Sequence, residues 1–220
     1  ASGLNPTIIS GGIMNNFGQN IHLTDSKFVV VEADESDGTV FKLNPSYLLY
    51  LNVDREHMDY YKNYSVLKKK IKTFISRVSK KSKVFLNRDD KFLKTLTHTS
   101  KNIIPFGGNS KSIYSYKIQK LSHNKSIFDF YFNKKKIIKN INSPLLGEHN
   151  IENLTAVLSV IHNLGIKINK KDIKNYRGTM RRMNLLGSIN KSLFIDDYAH
   201  HPTEIDKLIK VSKLYKKKEI

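Results

Sequence analysis

Apolar positions along the chain fall into two patterns. The first is the short continuous run, at residues 28–31 and again at residues 47–53, where only Asn52 interrupts it. Runs of this length without alternation predict strands buried on both faces of a parallel sheet. Each stops abruptly in polar residues, 32–37 after the first and 54–57 after the second. The second pattern is helical. From about Ser65 to Ser79, the residues Leu67, Ile71, Phe74, Ile75 and Val78 recur at a spacing that places them on one face. Val84, Phe85 and Leu86 then predict a third strand.

Between about Ile103 and Ile141 the pattern changes. Aromatic and β-branched segments at 113–118, 127–132 and 135–141 are separated by Asn, Ser and Lys turns, which predicts a small antiparallel sheet. Residues 145–150 read as a loop. A helix follows, with Ile151, Leu154, Leu158 and Ile161 at helical spacing and Gly165 just past its end. A shorter helix near 171–176 precedes Gly178, residues 192–195 predict a strand, and Pro202 stands at a first helical position. Alternating strands and helices imply an α/β fold. A glycine-flanked stretch at 181–187 is the candidate boundary, giving one unit over 1–181 and the beginning of another over 182–220.

Composition narrows the classes. At 220 residues, 39% hydrophobic and 26% charged, the chain is long enough to bury a core and has a globular balance. The absence of cysteine removes disulfides and thiolate metal sites. No apolar run approaches the roughly 18–20 residues of a membrane-spanning helix, so no membrane insertion is expected. The formal charge of +19 raises the possibility of a basic nucleic-acid-binding module. Its lysines are spread over many segments rather than gathered with aromatics on one face, and Asn and Ile are abundant alongside them. That favours compositional drift with solvated lysines, and no nucleic-acid partner is expected.

In open parallel sheets, ligands bind beyond the carboxyl ends of the strands. Glu32, Asp34, Glu35 and Asp37 follow one predicted strand, and His57 follows the next. If the two strands are neighbours, Glu32 and His57 share a rim, where a carboxylate suits Mg²⁺ shared with nucleotide phosphates. The residues alone leave bland alternatives open: a solvated acidic loop, Asn150 as a helix N-cap, Arg181 and Arg182 as a surface pair. His200 and His201, being adjacent, point in different directions and form no helical metal pair.

Several segments, in order, carry a resemblance. They are Gly3-Leu4-Asn5-Pro6-Thr7 with Ser10-Gly11-Gly12-Ile13; Glu32-Ala33-Asp34-Glu35-Ser36-Asp37; and Asn52 to Asp59, ending in His57-Met58-Asp59. Further on come Gly147-Glu148-His149-Asn150-Ile151-Glu152-Asn153, Gly178-Thr179-Met180-Arg181-Arg182, and Asp196-Asp197-Tyr198-Ala199-His200-His201-Pro202-Thr203-Glu204. Spread over nearly the whole chain, they resemble the UDP-N-acetylmuramate–L-alanine ligases of the Mur ligase family, cytoplasmic bacterial enzymes of peptidoglycan precursor synthesis. The resemblance implies a central ATPase domain, built of a parallel sheet with flanking helices and a small antiparallel sheet, followed by the start of a Rossmann-like C-terminal domain. It implies ATP and Mg²⁺ as cofactors, UDP-N-acetylmuramate and L-alanine as substrates, and an acyl-phosphate intermediate.

By the same resemblance, Glu32 and His57 are metal-binding and catalytic, and Asp197 is catalytic and nucleotide-binding. His149, Asn150, Asn153 and Arg182 contact the nucleotide, while Asn52, Tyr198 and His200 lie near the acceptor substrates. The oligomeric state is left open. A tripeptide-recycling muramate ligase of similar architecture is the nearest alternative, with Ser36 and the 196–204 run favouring the alanine enzyme. Two positions depart from the family pattern: Leu51 stands where threonine is usual, and Glu56 where aspartate is usual. The opening Ala1-Ser2-Gly3-Leu4 reads as a cut end, and no G-x-x-x-x-G-K-[ST] phosphate loop is present. The expectation is therefore a partial copy, lacking the N-terminal domain, the phosphate loop and most of the C-terminal domain, and inactive by itself.

Overall fold

The computed structural model describes residues 3–108 and 111–215; the basic run Lys216, Lys217 and Lys218 lies outside the described residues. The chain opens with β1 (Thr7–Met14), β2 (Gln19–His22) and β3 (Val29–Val31). Next come β4 (Tyr47–Tyr50), α1 (Met58–Tyr61), α2 (Tyr64–Val78), β5 (Lys83–Asn87) and β6 (Ile103–Gly107). They lead into β7 (Tyr114–Ser122), β8 (Lys125–Phe132) and β9 (Lys135–Ser143). The remainder is α3 (Glu148–Asn163), α4 (Lys170–Lys174), β10 (Asn184–Ile189), β11 (Ser192–Asp196) and α5 (Pro202–Ser212).

The core is built around a six-stranded sheet in the order β4-β5-β6-β7-β8-β9. Its first half is parallel and its second half antiparallel, so the expected small antiparallel sheet is continuous with the parallel one rather than separate. The join is narrow: β7 meets the end of β6 only at Phe106↔Tyr114 and Gly107↔Ser115, then runs on beyond it.

Strand β5 shows how the sequence makes the layers. Val84 and Leu86 point to one face, where they pack with Leu67, Ile71, Phe74, Ile75 and Val78 of α2. Phe85 points to the other, joining Phe106, Tyr114, Phe128, Phe130 and the α3 residues Ile151, Ala156 and Leu158. A side-chain period of two therefore feeds two cores, which is why β5 reads as an unbroken apolar run. Asn63 starts α2 by accepting the Val66 amide at 3.0 Å.

A second, three-stranded sheet has the order β2-β1-β3. Here an expectation is corrected. Val29, Val30 and Val31 are 59%, 54% and 50% exposed, not buried on two faces, because β3 pairs only with β1 among the described residues. Nor are β3 and β4 neighbours in one sheet; each forms an edge of its own sheet. Strand β1 is tied instead to the residues after α4: Asn15 N donates to Gly178 O at 3.0 Å and Met180 N to Ile13 O at 2.9 Å.

The stretch at 181–187, expected as a loop, is partly strand: β10 pairs with β11 as a separate two-stranded ribbon. Gly147, not Asn150, is the N-cap of α3. Among the described residues no helix is long and apolar enough to cross a membrane.

Candidate active site

The carboxyl ends of β4, β5 and β6 open onto one rim. They deliver residues 52–57, Asn87 with Asp89 and Asp90, and Gly107 with Gly108. The first turn of α3 and the segment 196–207 complete it. A cleft of about 210 Å³ lies between them, lined by Asn52, Val53, Asp54, Asn87, Asp89, Asp90, Glu152, Thr203 and Lys207. A larger depression, about 480 Å³, runs along the solvent face of α2 between Lys69, Lys72, Thr73, Ser76, Arg77 and Lys80. That face is opposite the one α2 buries against β5, and it carries none of the candidate site residues.

Glu32 leaves β3 held by β1. Its Oε2 accepts from Ser10 Oγ at 2.7 Å and Gly11 N at 2.9 Å, and Oε1 has no protein partner among the described residues. The other acids of the hexapeptide are used differently. Asp34 Oδ1 accepts from Ser36 N and Oγ, and Asp37 Oδ1 accepts from Thr39 N and Oγ1, so both close local turns. The Glu35 carboxyl is raised by burial, opposed by a backbone hydrogen bond and by the nearby His57. Tyr61 Oη donates to Glu35 O, joining the acidic loop to the loop after β4 across the two sheets.

His57 sits at φ 57°, ψ 38° at the start of α1, and its carbonyl accepts from the amides of Tyr60 and Tyr61. A non-glycine residue in the left-handed region is uncommon, and such positions cluster at functional sites. Glu32 and His57 are not joined by an ion pair or hydrogen bond, and among the described residues no three of His, Cys, Asp and Glu converge as a metal cage. That donor set does not fit zinc, which takes at least three protein ligands. It fits Mg²⁺, which keeps waters and takes one or two protein ligands together with substrate phosphates.

At the other side of the rim, burial pushes the His149 imidazole down to about 4, with Lys207 and Arg182 repelling its charged form and Asp197 opposing them. These four side chains thus share one neighbourhood. Asn150 Nδ2 donates to Leu146 O at 2.7 Å, bracing the first turn of α3, and Asn153 lies on the next turn. Asp197 accepts from Met183 N and Ala199 N, each at 2.8 Å, so it shapes the turn that carries Tyr198 and His200. Arg182 lies 3.6 Å from Glu204, and Arg181 stacks 5.0 Å from the Tyr198 ring.

Two contacts carry the 196–204 segment onto the rim. His200 lies 3.6 Å from Glu56, and Thr203 Oγ1 donates to Asp54 Oδ2 at 2.6 Å. His201 turns toward Asp54 at 3.6 Å, so the histidine pair does point two ways.

Several lining residues were missed from sequence. Asn87, 4% exposed, donates to Glu152 Oε1 at 2.7 Å and accepts from Asp89 N at 2.9 Å. Asp90 binds the amides of Val53, Phe92 and Leu93 and so locks the end of β4 to the end of β5. The polar break at 87–90 directly after the third apolar run was the available signal, the same one that picked out Glu32 and His57. Lys207 gave no signal beyond its helix.

Comparison with known proteins places this arrangement. Residues 14–161 match the Mur ligase middle domain. The UDP-N-acetylmuramate–L-alanine ligase of Pelagibacter ubique is 39% identical over 99% of this chain and 49% of its own length. The crystal structure of the UDP-N-acetylmuramate–alanine ligase from Thermotoga maritima superposes with a TM-score of 0.80 at 25% identity, covering 96% of this chain and 48% of that one. At the level of fold alone, the MurF ligase from Thermotoga maritima in complex with ADP has a TM-score of 0.74 at 17% identity, covering 94% and 50%. The chain spans about half the length of these proteins. Its middle-domain match and its sheet architecture together show that the chain belongs to the Mur ligase family.

Proposed function

We propose that the protein takes part in ATP-dependent ligation of L-alanine to UDP-N-acetylmuramate, in the bacterial cytoplasm. The observation that carries the reading is the gathering of three separate segments on one rim. The acidic loop meets the 54–61 segment through Tyr61 of α1, and the 196–204 segment meets that same segment through Asp54 and Glu56. The name of the 39%-identical relative supports the alanine acceptor over a tripeptide.

The reaction divides into two steps. A carboxylate oxygen of the muramoyl group takes the terminal phosphoryl group of ATP, releasing ADP. The amine of alanine then attacks the acyl carbon, phosphate leaves, and the amine loses a proton. Such chemistry needs positioning and charge neutralisation more than covalent help. Mg²⁺, when bound, supplies that neutralisation on the phosphate oxygens. Glu32, pre-oriented by Ser10 and Gly11, would offer one ion an unshared oxygen, and His57 would offer an imidazole to a second. His149, neutral at pH 7, presents an uncharged ring to the nucleotide base. Asn150 and Asn153 present carboxamides beside it, able to donate and accept. Arg182 and Asp197 reach the nucleotide from the following segment, while Asn52, Tyr198 and His200 face the acceptor.

Phosphate release by the full-length protein tests this. It is expected to require ATP, UDP-N-acetylmuramate and L-alanine together, with the muramyl tripeptide's peptide portion failing to replace alanine. Glu32→Ala is expected to lower kcat by about a hundredfold or more, through lost positioning. Turnover with the tripeptide alone would transfer the protein to the recycling class, and a Glu32→Ala enzyme at full rate would remove Glu32 from its role.

A further inference from the structure

Helix α5 carries Thr203, Lys207 and Val211 four residues apart, on one face. Each meets a different part of the rim. Thr203 binds Asp54 at 2.6 Å. Lys207 lines the cleft together with Asp89, Asp90 and Glu152. Val211, 3% exposed, closes over Gly147 at the start of α3, so tightly that a Cβ on Gly147 would collide with it. Among the described residues Lys207 is the one cation lining a cleft that holds four carboxylates, and no direct ion pair commits it to one of them.

We propose that Lys207 is a positioning residue: its charge draws α5 onto the acidic cleft, and through α5 sets the 181–204 segment over the rim. The mechanical link is short. His201 caps α5 by accepting the Thr203 amide, and Asp197, Tyr198 and His200 precede it directly. Arg182 is coupled to the same helix through Glu204. The ammonium acts on the cleft's charge as a whole, which explains a lysine without a fixed partner. Glu152, Asp54 and the half-buried His149 all feel it. The docking stands on the contacts alone; its consequence for turnover rests on the ligase reading.

The test uses Lys207→Met and Lys207→Arg in the full-length protein, with amide hydrogen exchange and steady-state kinetics at several salt concentrations. Lys207→Met is expected to speed exchange across α5 by about fivefold, the scale of one partly exposed charge interaction, while α2 and the interior of α3 stay unchanged. The kcat/KM values for ATP and L-alanine are expected to fall together by a similar factor. Activity of the unsubstituted protein is expected to decline as salt rises, and the variant is expected to lose that decline. Lys207→Arg restores all three. Unchanged exchange in α5, or an arginine variant as impaired as the methionine one, overturns the proposal. Faster exchange in α5 of a protein without ligase turnover would sink the ligase reading and leave the docking standing.

Discussion

His149 titrates near 6.5 in the unfolded chain and near 4 in the fold, where burial disfavours its charged form. Between those two values the unfolded state binds more protons, so stability is fully present above about pH 6.5 and is lost as pH falls toward 4. Glu152, raised by burial, works with the opposite sign, so the informative quantity is the difference between the protein and His149→Gln. Chemical denaturation at pH 7 and at pH 4 is expected to show the unsubstituted protein losing on the order of 1–2 kcal/mol more than the variant. Parallel losses would contradict a buried neutral imidazole. At this scale the sequence was informative where chemistry stands at a strand end, as with Glu32 and His57. It was silent on which carboxylates of the hexapeptide are spent locally, because Asp34 and Asp37 look the same as Glu32 until their turn amides are placed.

Helices α2 and α3 were legible because each buries one stripe, and the strands β5 and β8 because their apolar residues are nearly continuous. Strands β1 and β2 were not. Their residues form no unbroken apolar run, Gly11 and Gly12 interrupt β1, and much of the sheet is exposed. The antiparallel strands were found, but their continuity with the parallel sheet rests on two residue pairs that no periodicity reveals. Gly147 is the element-level junction: φ +88° at the cap of α3, with Val211 of α5 pressed against it. Gly147→Ala is expected to cost about 2 kcal/mol or more in urea unfolding, combining backbone strain with the collision. Adding Val211→Ala is expected to recover only the steric part. A Gly147→Ala protein of unchanged stability would show that α5 is not docked there.

Across the whole molecule, the +19 charge is distributed rather than focused. Lys136 and Lys210 pair directly with Asp129 and Asp206, while Asp54, Asp89, Asp90 and Glu152 gather at the rim. The sequence anticipated the α/β class and the order of the site segments. It did not anticipate that Glu32 and His57 come from separate sheets, since a buried-strand pattern says nothing about which strands pair. On the proposed reading, bound nucleotide and its metal ions would bridge the two loops. Anomalous scattering from Mn²⁺ in crystals of the full-length protein with a non-hydrolysable ATP analogue tests this most directly. The account expects manganese coordinated by the Glu32 carboxylate and by nucleotide phosphate, with any second ion on His57. Manganese bound elsewhere, with Glu32 still satisfied only by Ser10 and Gly11, would contradict it.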